Sequence, residues 1–315
     1  GSVLFFPNYN GGPVMPTTLA GVKQLISDLK AHATTPLLVA TDEEGGGVDR
    51  LQYYFKPPSP APAALTASGD PQYAKSWGAQ DAQRMKQLGI NVDFAPLADV
   101  YQGGAIDRSR MFGSTTQDVI TYAGAFLDGL QQNGVVGTLK HWPGIGAVPA
   151  NPDFALPTLN HTKTQLNDTD FATFRALLSH QPGMIMATHM LVPAYDPNNL
   201  ASLSPTLING VLRGQLGYQG VVVSDAMEAA SVIQYMQRQG YSDPAQAVGE
   251  ASVRAILAGE DLIECPVDPT LAQGVIDAVT QAVISGRITP ARLRQSLRRI
   301  IALKVRLGIL TLPPA

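Results

Sequence analysis

Thr116-Gln117-Asp118-Val119-Ile120-Thr121-Tyr122-Ala123-Gly124-Ala125-Phe126-Leu127-Asp128-Gly129-Leu130-Gln131-Gln132-Asn133-Gly134-Val135-Val136-Gly137-Thr138-Leu139-Lys140-His141-Trp142 is the stretch that decides the fold. Residues 116–133 read as an amphipathic helix, and Gly134 supplies the residue that ends it. Val135–Leu139 is a compact apolar run, the length of a strand buried on both faces. Directly behind it stand a cation and an imidazole, Lys140 and His141.

The unit recurs outward in both directions. Strand-like runs are Val3–Phe6, Pro36–Thr41, Asn91–Pro96, Met184–Thr188, Val221–Ser224 and Asp261–Glu264. Between them, Asp70-Pro71 opens a helix carrying Ala74, Trp77, Ala82, Met85 and Leu88, stopped by Gly89. Ser204-Pro205 caps another over Leu207–Leu216. The C-terminal segment reads as two helices, the second opened by Thr289-Pro290; its Arg298, Arg299, Lys304 and Arg306 are expected on a solvated face. Sustained strand–helix alternation implies a parallel sheet. The length of 315 residues suits one domain over 1–315, a TIM (β/α)8-type barrel. Seven runs stand where eight are needed, so the expectation is a barrel lacking or truncated in its first strand–helix unit.

Composition narrows the function. A net charge of −3 with no long basic run leaves no footprint for nucleic acid. No apolar stretch approaches the ~20 residues of a membrane span. A single cysteine, Cys265, rules out an internal disulfide and a thiolate metal cluster, and the five histidines lack zinc-enzyme spacing. No metal or cofactor is expected. The chain opens on Gly1-Ser2 with no signal peptide, so compartment and oligomeric state are not legible.

In such barrels chemistry sits where strands end. The residues following the apolar runs are Asp42 (with Glu43 and Glu44), Asp93 and Asp99, Lys140 and His141, His189, Asp225 and Glu264. This recurrence of Asp and His is not what packing or random loop polarity yields. Asp225 after Val221–Ser224 has the geometry of a nucleophile; equally, it could cap the helix that follows. Lys140 and His141 can donate to hydroxyls, and the Trp142 ring can stack on a sugar face.

These segments resemble glycoside hydrolase family 3, in particular its single-domain β-N-acetylhexosaminidase branch. Val3-Leu4-Phe5-Phe6-Pro7-Asn8 looks like the family's GVILFxxN strand, and Thr41-Asp42-Glu43-Glu44-Gly45-Gly46-Gly47-Val48-Asp49-Arg50 is similar to its DQEGGRVxR segment. Asn91–Val100 resembles NVDFAPVxDV, Arg110–Gly113 resembles RSFG, and Lys140–Gly144 stands where KHFPG is expected. Met186–Met190, Val222–Met227 and Ala258–Leu262 are similar to MxxH, VxSDxL/M and AGADL. The resemblance spans essentially the whole chain. It implies a retaining exo-hydrolase of terminal β-linked N-acetylglucosamine, from peptidoglycan or chitin fragments, with a small-molecule carbohydrate as its partner. Asp225 would be the nucleophile. Asp42 and Arg50 would hold distal hydroxyls. Lys140, His141 and Arg110 would bind the ring, Arg110 being preferred over Arg108 by its spacing to Phe112-Gly113. His189 would line the floor, and Met227 would belong to the binding set.

Two departures stand out. The family's Asp-Ser-His element, which holds the general acid/base, is replaced by Asn151-Pro152-Asp153. Asp153 is either a carboxylic acid/base raised in pKa beside Asp225, or a plain turn residue. The loss of the dyad leaves an alternative, a catalytically impaired homologue that binds a sugar. Gly47 also stands where the family has the arginine of GGRV.

Overall fold

The structure is a computed structural model that describes residues 2–4 and 18–312. The Phe5–Asn8 part of the first motif lies outside the described residues. Seven strands form one sheet: β1 Ser2–Leu4, β2 Leu38–Thr41, β3 Val92–Asp93, β4 Val136–Trp142, β5 Met184–Ala187, β6 Val221–Ala226 and β7 Leu262–Glu264. They lie side by side in chain order. Every pairing between them is parallel. Each expected run is therefore a strand, shortened or shifted by a few residues.

The sheet curls. Val39, Leu139, Ile185 and Val222 pack outward against the surrounding helices. The residues alternating with them, Leu38 and Ala40, Val136, Met184 and Met186, Val221 and Val223, form a separate cluster joined by Phe94 and Leu262. In a flat sheet β2 and β7, five spacings apart, would be separated by roughly 24 Å and could not share one cluster. The inner faces of β2 through β7 thus enclose a common interior. Among the described residues β1 and β7 do not pair with each other, so what is seen is a curled parallel sheet rather than a closed cylinder.

Helices cover the outside. The expected helix after Asp70 runs Pro71–Leu88, with the Asp70 carboxylate accepting from Gln72 N–H and Gly89 at φ +86° ending it. Its neighbour, Thr116–Gln132, ends one residue short of expectation. The two touch backbone to backbone at Gly78 and Gly129. A Cβ on Gly78 would sit 2.2 Å from Phe126 O, and one on Gly129 would sit 2.1 Å from Lys75 O. The segment after Ser204 is helical over Thr206–Gln215 but wound as a π-helix. Leu19–His32, whose N-terminus Thr18 caps, was not foreseen.

The last helix, Pro290–Arg306, closes the end of the interior at which the strands begin. Leu303 belongs to the inner cluster, with Ile300 and Leu307 against it. Its basic residues are not simply a solvated face. Arg299 reaches Asp261 at 3.0 Å, Arg306 donates to Gln181 O at 2.8 Å, and Lys304 is buried. Asp261 also receives Arg213 at 2.7 Å and Ser296 at 2.7 Å, which fastens this helix to the start of β7. Among the described residues no helix is long and apolar enough to cross a membrane.

Candidate active site

The alternation that fills the interior also builds the site. On β2, Leu38 and Ala40 point inward, and the next inward position is Asp42. The same step of two leads from Val136 to Lys140, from Met186 to Thr188, from Val223 to Asp225 and from Leu262 to Glu264. The outermost inward residue of five strands is thus polar, and these side chains meet. Lys140 Nζ is 2.6 Å from Asp42 Oδ1, across 98 residues of chain, and Thr188 Oγ1 donates to Asp225 Oδ2 at 3.2 Å.

Around this ring lies an ion network. Residues Glu43–Gly45 pair antiparallel with Val48–Asp49, a hairpin that turns Glu44 over the mouth. Glu44 takes Lys140 at 2.7 Å and both Nε and Nη2 of Arg110 at 2.8 Å. Burial alone would keep its carboxyl protonated. Lys140 and Arg110 outweigh that and hold it well below the usual carboxylate range. Lys140 is itself buried, yet Asp42 and Glu44 raise its pKa and keep it charged. Arg108 lies over the Tyr101 ring, 5.8 Å from its centroid, leaving Arg110 as the arginine of the network. Glu44 was read only as loop sequence; its role requires knowing where the hairpin folds. Arg50 sits half-buried directly behind the hairpin's second strand.

His141 is fixed from behind. Asp99 accepts from its backbone N–H at 3.1 Å, lies 2.8 Å from its Nδ1, and takes Ile145 N–H at 2.9 Å. Asp99 was visible as a strand-end residue, but nothing in its spacing pointed to His141.

Asp225 lies in β6 and caps no helix. The following helix, Ala230–Arg238, starts behind Ala229, which provides no side-chain cap. The Asp225 Oδ1 accepts from Ala226 N–H at 2.9 Å. Burial would raise its pKa, but His141, His189, that N–H and Lys140 prevail and hold it below the ordinary carboxylate range. His189 is fully buried beside Asp225, with Nδ1 2.7 Å from Ser202 Oγ; burial lowers its pKa. Met227 is fully buried in the cluster of Leu200, Leu203 and Ala247. Trp142 is no sugar-stacking wall: it is wholly buried, stacked on Phe171 at 4.9 Å and edge-on to Phe174, because the aromatic pair offers it more apolar contact than the mouth does.

The loop carrying Asp153 is docked onto β6's successor helix. Ala230 N–H donates to Asp153 O at 3.1 Å, and Ser231 N–H to Pro152 O at 3.2 Å. Asn151 Oδ1 accepts Asp153 N–H at 2.9 Å, so the turn reading of Asn151-Pro152-Asp153 describes its backbone. The side chain is exposed at the rim, yet loss of solvent on its inner side and the charge of Asp225 raise its pKa. One carboxylate lowered below a second one raised is the electrostatic pattern of a nucleophile and an acid.

The sequence signature of the glycosyl hydrolase family 3 N-terminal domain matches residues 10–303. The chain belongs to glycosyl hydrolase family 3. This family 3 chain is 30% identical to a beta-hexosaminidase of Idiomarina loihiensis over 88% of its own length and 79% of that protein. It is 32% identical to beta-hexosaminidase LpqI of Mycobacterium tuberculosis over 85% and 68% of the respective chains. Among solved structures, a family 3 beta-N-acetylglucosaminidase from Paenibacillus sp. superposes with a TM-score of 0.87 at 32% identity. That match covers 99% of this chain and 59% of the Paenibacillus chain. The M. tuberculosis LpqI structure superposes with a TM-score of 0.82. This family 3 member is accordingly a glycosidase.

Proposed function

We propose that the chain is a retaining, exo-acting β-N-acetylhexosaminidase that removes terminal β-linked N-acetylglucosamine from peptidoglycan or chitin fragments. The observation that carries this reading is the Asp225 carboxyl at the C-terminal end of β6, taking Thr188 Oγ1 at 3.2 Å and held below the ordinary carboxylate range by His141, His189 and Lys140. The names of the related proteins support the choice of sugar. The reading treats residues 1–315 as one barrel domain, its seven strands part of a (β/α)8-type cylinder.

In the first step an Asp225 oxygen bonds to C1 of the sugar and the bond from C1 to the aglycone oxygen breaks. Asp153, protonated, gives its proton to the departing oxygen. In the second step a water oxygen attacks C1, its proton returns to Asp153, and the Asp225–C1 bond breaks with configuration retained. Asp42, Lys140, Arg110 and Arg50 would hold the hydroxyls, and His141 the ring or the N-acetyl group, so that C1 stays over Asp225.

The test compares an aryl N-acetyl-β-glucosaminide with the natural disaccharide. Cleavage of both at similar efficiency is expected. Cleavage of the aryl substrate alone would mean that leaving-group protonation is missing and that the sugar-binding, impaired homologue is the correct description. Asp225→Ala is expected to abolish turnover while retaining N-acetylglucosamine binding, and undiminished turnover would dismiss Asp225 as the nucleophile.

A further inference from the structure

The polar ring holds one carboxyl that neither the ion network nor the two reaction steps use. Glu264 takes the last inward position of β7, next to Asp225 on β6 and, around the curl, on the side of Asp42. Its backbone is pinned: Glu264 N–H donates to Ser224 Oγ at 2.8 Å, and its carbonyl accepts from Met227 N–H at 3.3 Å. The irregular register between β6 and β7, with Val223 opposite Leu262 but Ala226 opposite Glu264, keeps both Asp225 and Glu264 inward. The side chain is half-buried, and among the described residues its carboxyl has no hydrogen-bond partner. Every other ring member is engaged: Asp42 by Lys140, Thr188 by Asp225.

We propose that Glu264 is a specificity-determining residue, its carboxyl taking a hydroxyl of the bound sugar between the anomeric carbon and the groups held by Asp42. The inference rests on the glycosidase reading and adds to it a contact from β7, the strand beside the nucleophile's. Glu264 is not a second acid/base, because it shares the ring with Asp225. It lies on the nucleophile's side of the sugar, whereas the leaving oxygen departs from the other. Burial pushes its carboxyl well above the usual range; Asp42, Asp225 and Glu228 add to this and only Lys140 opposes it. An uncharged carboxyl can both donate to and accept from a hydroxyl, which a carboxylate cannot.

The experiment uses the full chain with an aryl N-acetyl-β-glucosaminide, and calorimetric titration with N-acetylglucosamine. Glu264→Leu is expected to lower kcat/KM about tenfold or more, the effect of one lost hydrogen bond. Glu264→Gln, which keeps a neutral donor and acceptor, should recover most of that loss. The wild-type kcat/KM should fall towards alkaline pH as Asp153 and Glu264 both ionise, and Glu264→Gln should keep only the single ionisation that belongs to Asp153. An unimpaired Glu264→Leu enzyme, or a Glu264→Gln enzyme as weak as Glu264→Leu, overturns the proposal. Preferential cleavage of the free-amine glucosaminide, abolished in Glu264→Gln, would also overturn it in favour of a charged contact. If the wild type cleaves nothing but binds N-acetylglucosamine, the glycosidase reading fails and Glu264 is judged on the same ratios in Kd. If it does neither, both fall.

Discussion

Asp99 Oδ2 lies 2.8 Å from Nδ1 of His141, and the same carboxylate accepts the histidine's backbone N–H. A buried acid that grips one residue by side chain and main chain together fixes both ring plane and tautomer, so the sugar contact proposed for His141 falls to Nε2.

Asp99→Asn should therefore damage folding as well as activity. An amide cannot accept from Nδ1–H, His141 N–H and Ile145 N–H together, and an unpaired buried donor costs about 1–3 kcal/mol. A roughly 10- to 100-fold loss of kcat/KM is expected if that penalty falls on the bound state. Steady-state kinetics beside a thermal melt will separate the two, and equal kcat/KM in variant and wild type would show that His141 needs no such support.

Glu44 is the hub of the mouth, and its removal leaves Arg110 without its carboxylate and Lys140 with Asp42 alone. Glu44→Ala leaves buried Lys140 and half-buried Arg110 without their shared partner. Removing one side of a buried pair costs about 3–5 kcal/mol. Urea unfolding should show a correspondingly lower midpoint at unchanged slope. A shift worth less than ~1 kcal/mol would mean that solvent enters the network.

The acid role proposed for Asp153 is tested by leaving-group chemistry. Asp153→Ala is expected to lose ~10²–10⁴-fold on the disaccharide, the usual worth of general acid–base help, and less on an activated aryl substrate. Azide should restore turnover of the aryl substrate by replacing the second-step water. A uniform loss on both substrates without azide rescue would leave Asp153 as a turn residue only.

Behind the hairpin, Asp81 predicts the direction of a pH effect on stability. Burial raises its pKa to about 7; the Ser59 hydroxyl and Arg84 oppose the rise, and Asp49 adds to it. The folded protein therefore holds this proton more tightly than the unfolded chain, whose ordinary value is 3.8. The contribution is full below about pH 4 and is lost as the pH rises through about 7. Asp81→Asn should flatten that decline in urea titrations between those limits. An unchanged slope would remove Asp81 as its source.

The strands were legible because a run buried on both faces must be apolar, and four of the seven ended where Asp, Lys or His began. The Arg110 reading, made from its distance to Phe112-Gly113, coincides with the guanidinium that Glu44 holds. Trp142 was misread because a ring behind a histidine looks the same whether it faces solvent or Phe171. Arg298 and Arg306 are exposed as the solvated-face reading has it, but helix spacing does not reveal that Asp261 lies beneath Arg299.

The sequence by itself determined the order of strands and helices and the charged residue behind most of the strands, because burial and alternation act along the chain. The partners of those residues were decided only by the curl of the sheet. Lys140 meets Asp42 across 98 residues, and Glu264 sits beside Asp225 through a shift of register. Such pairings depend on how strands from distant parts of the chain are aligned, which no local pattern encodes.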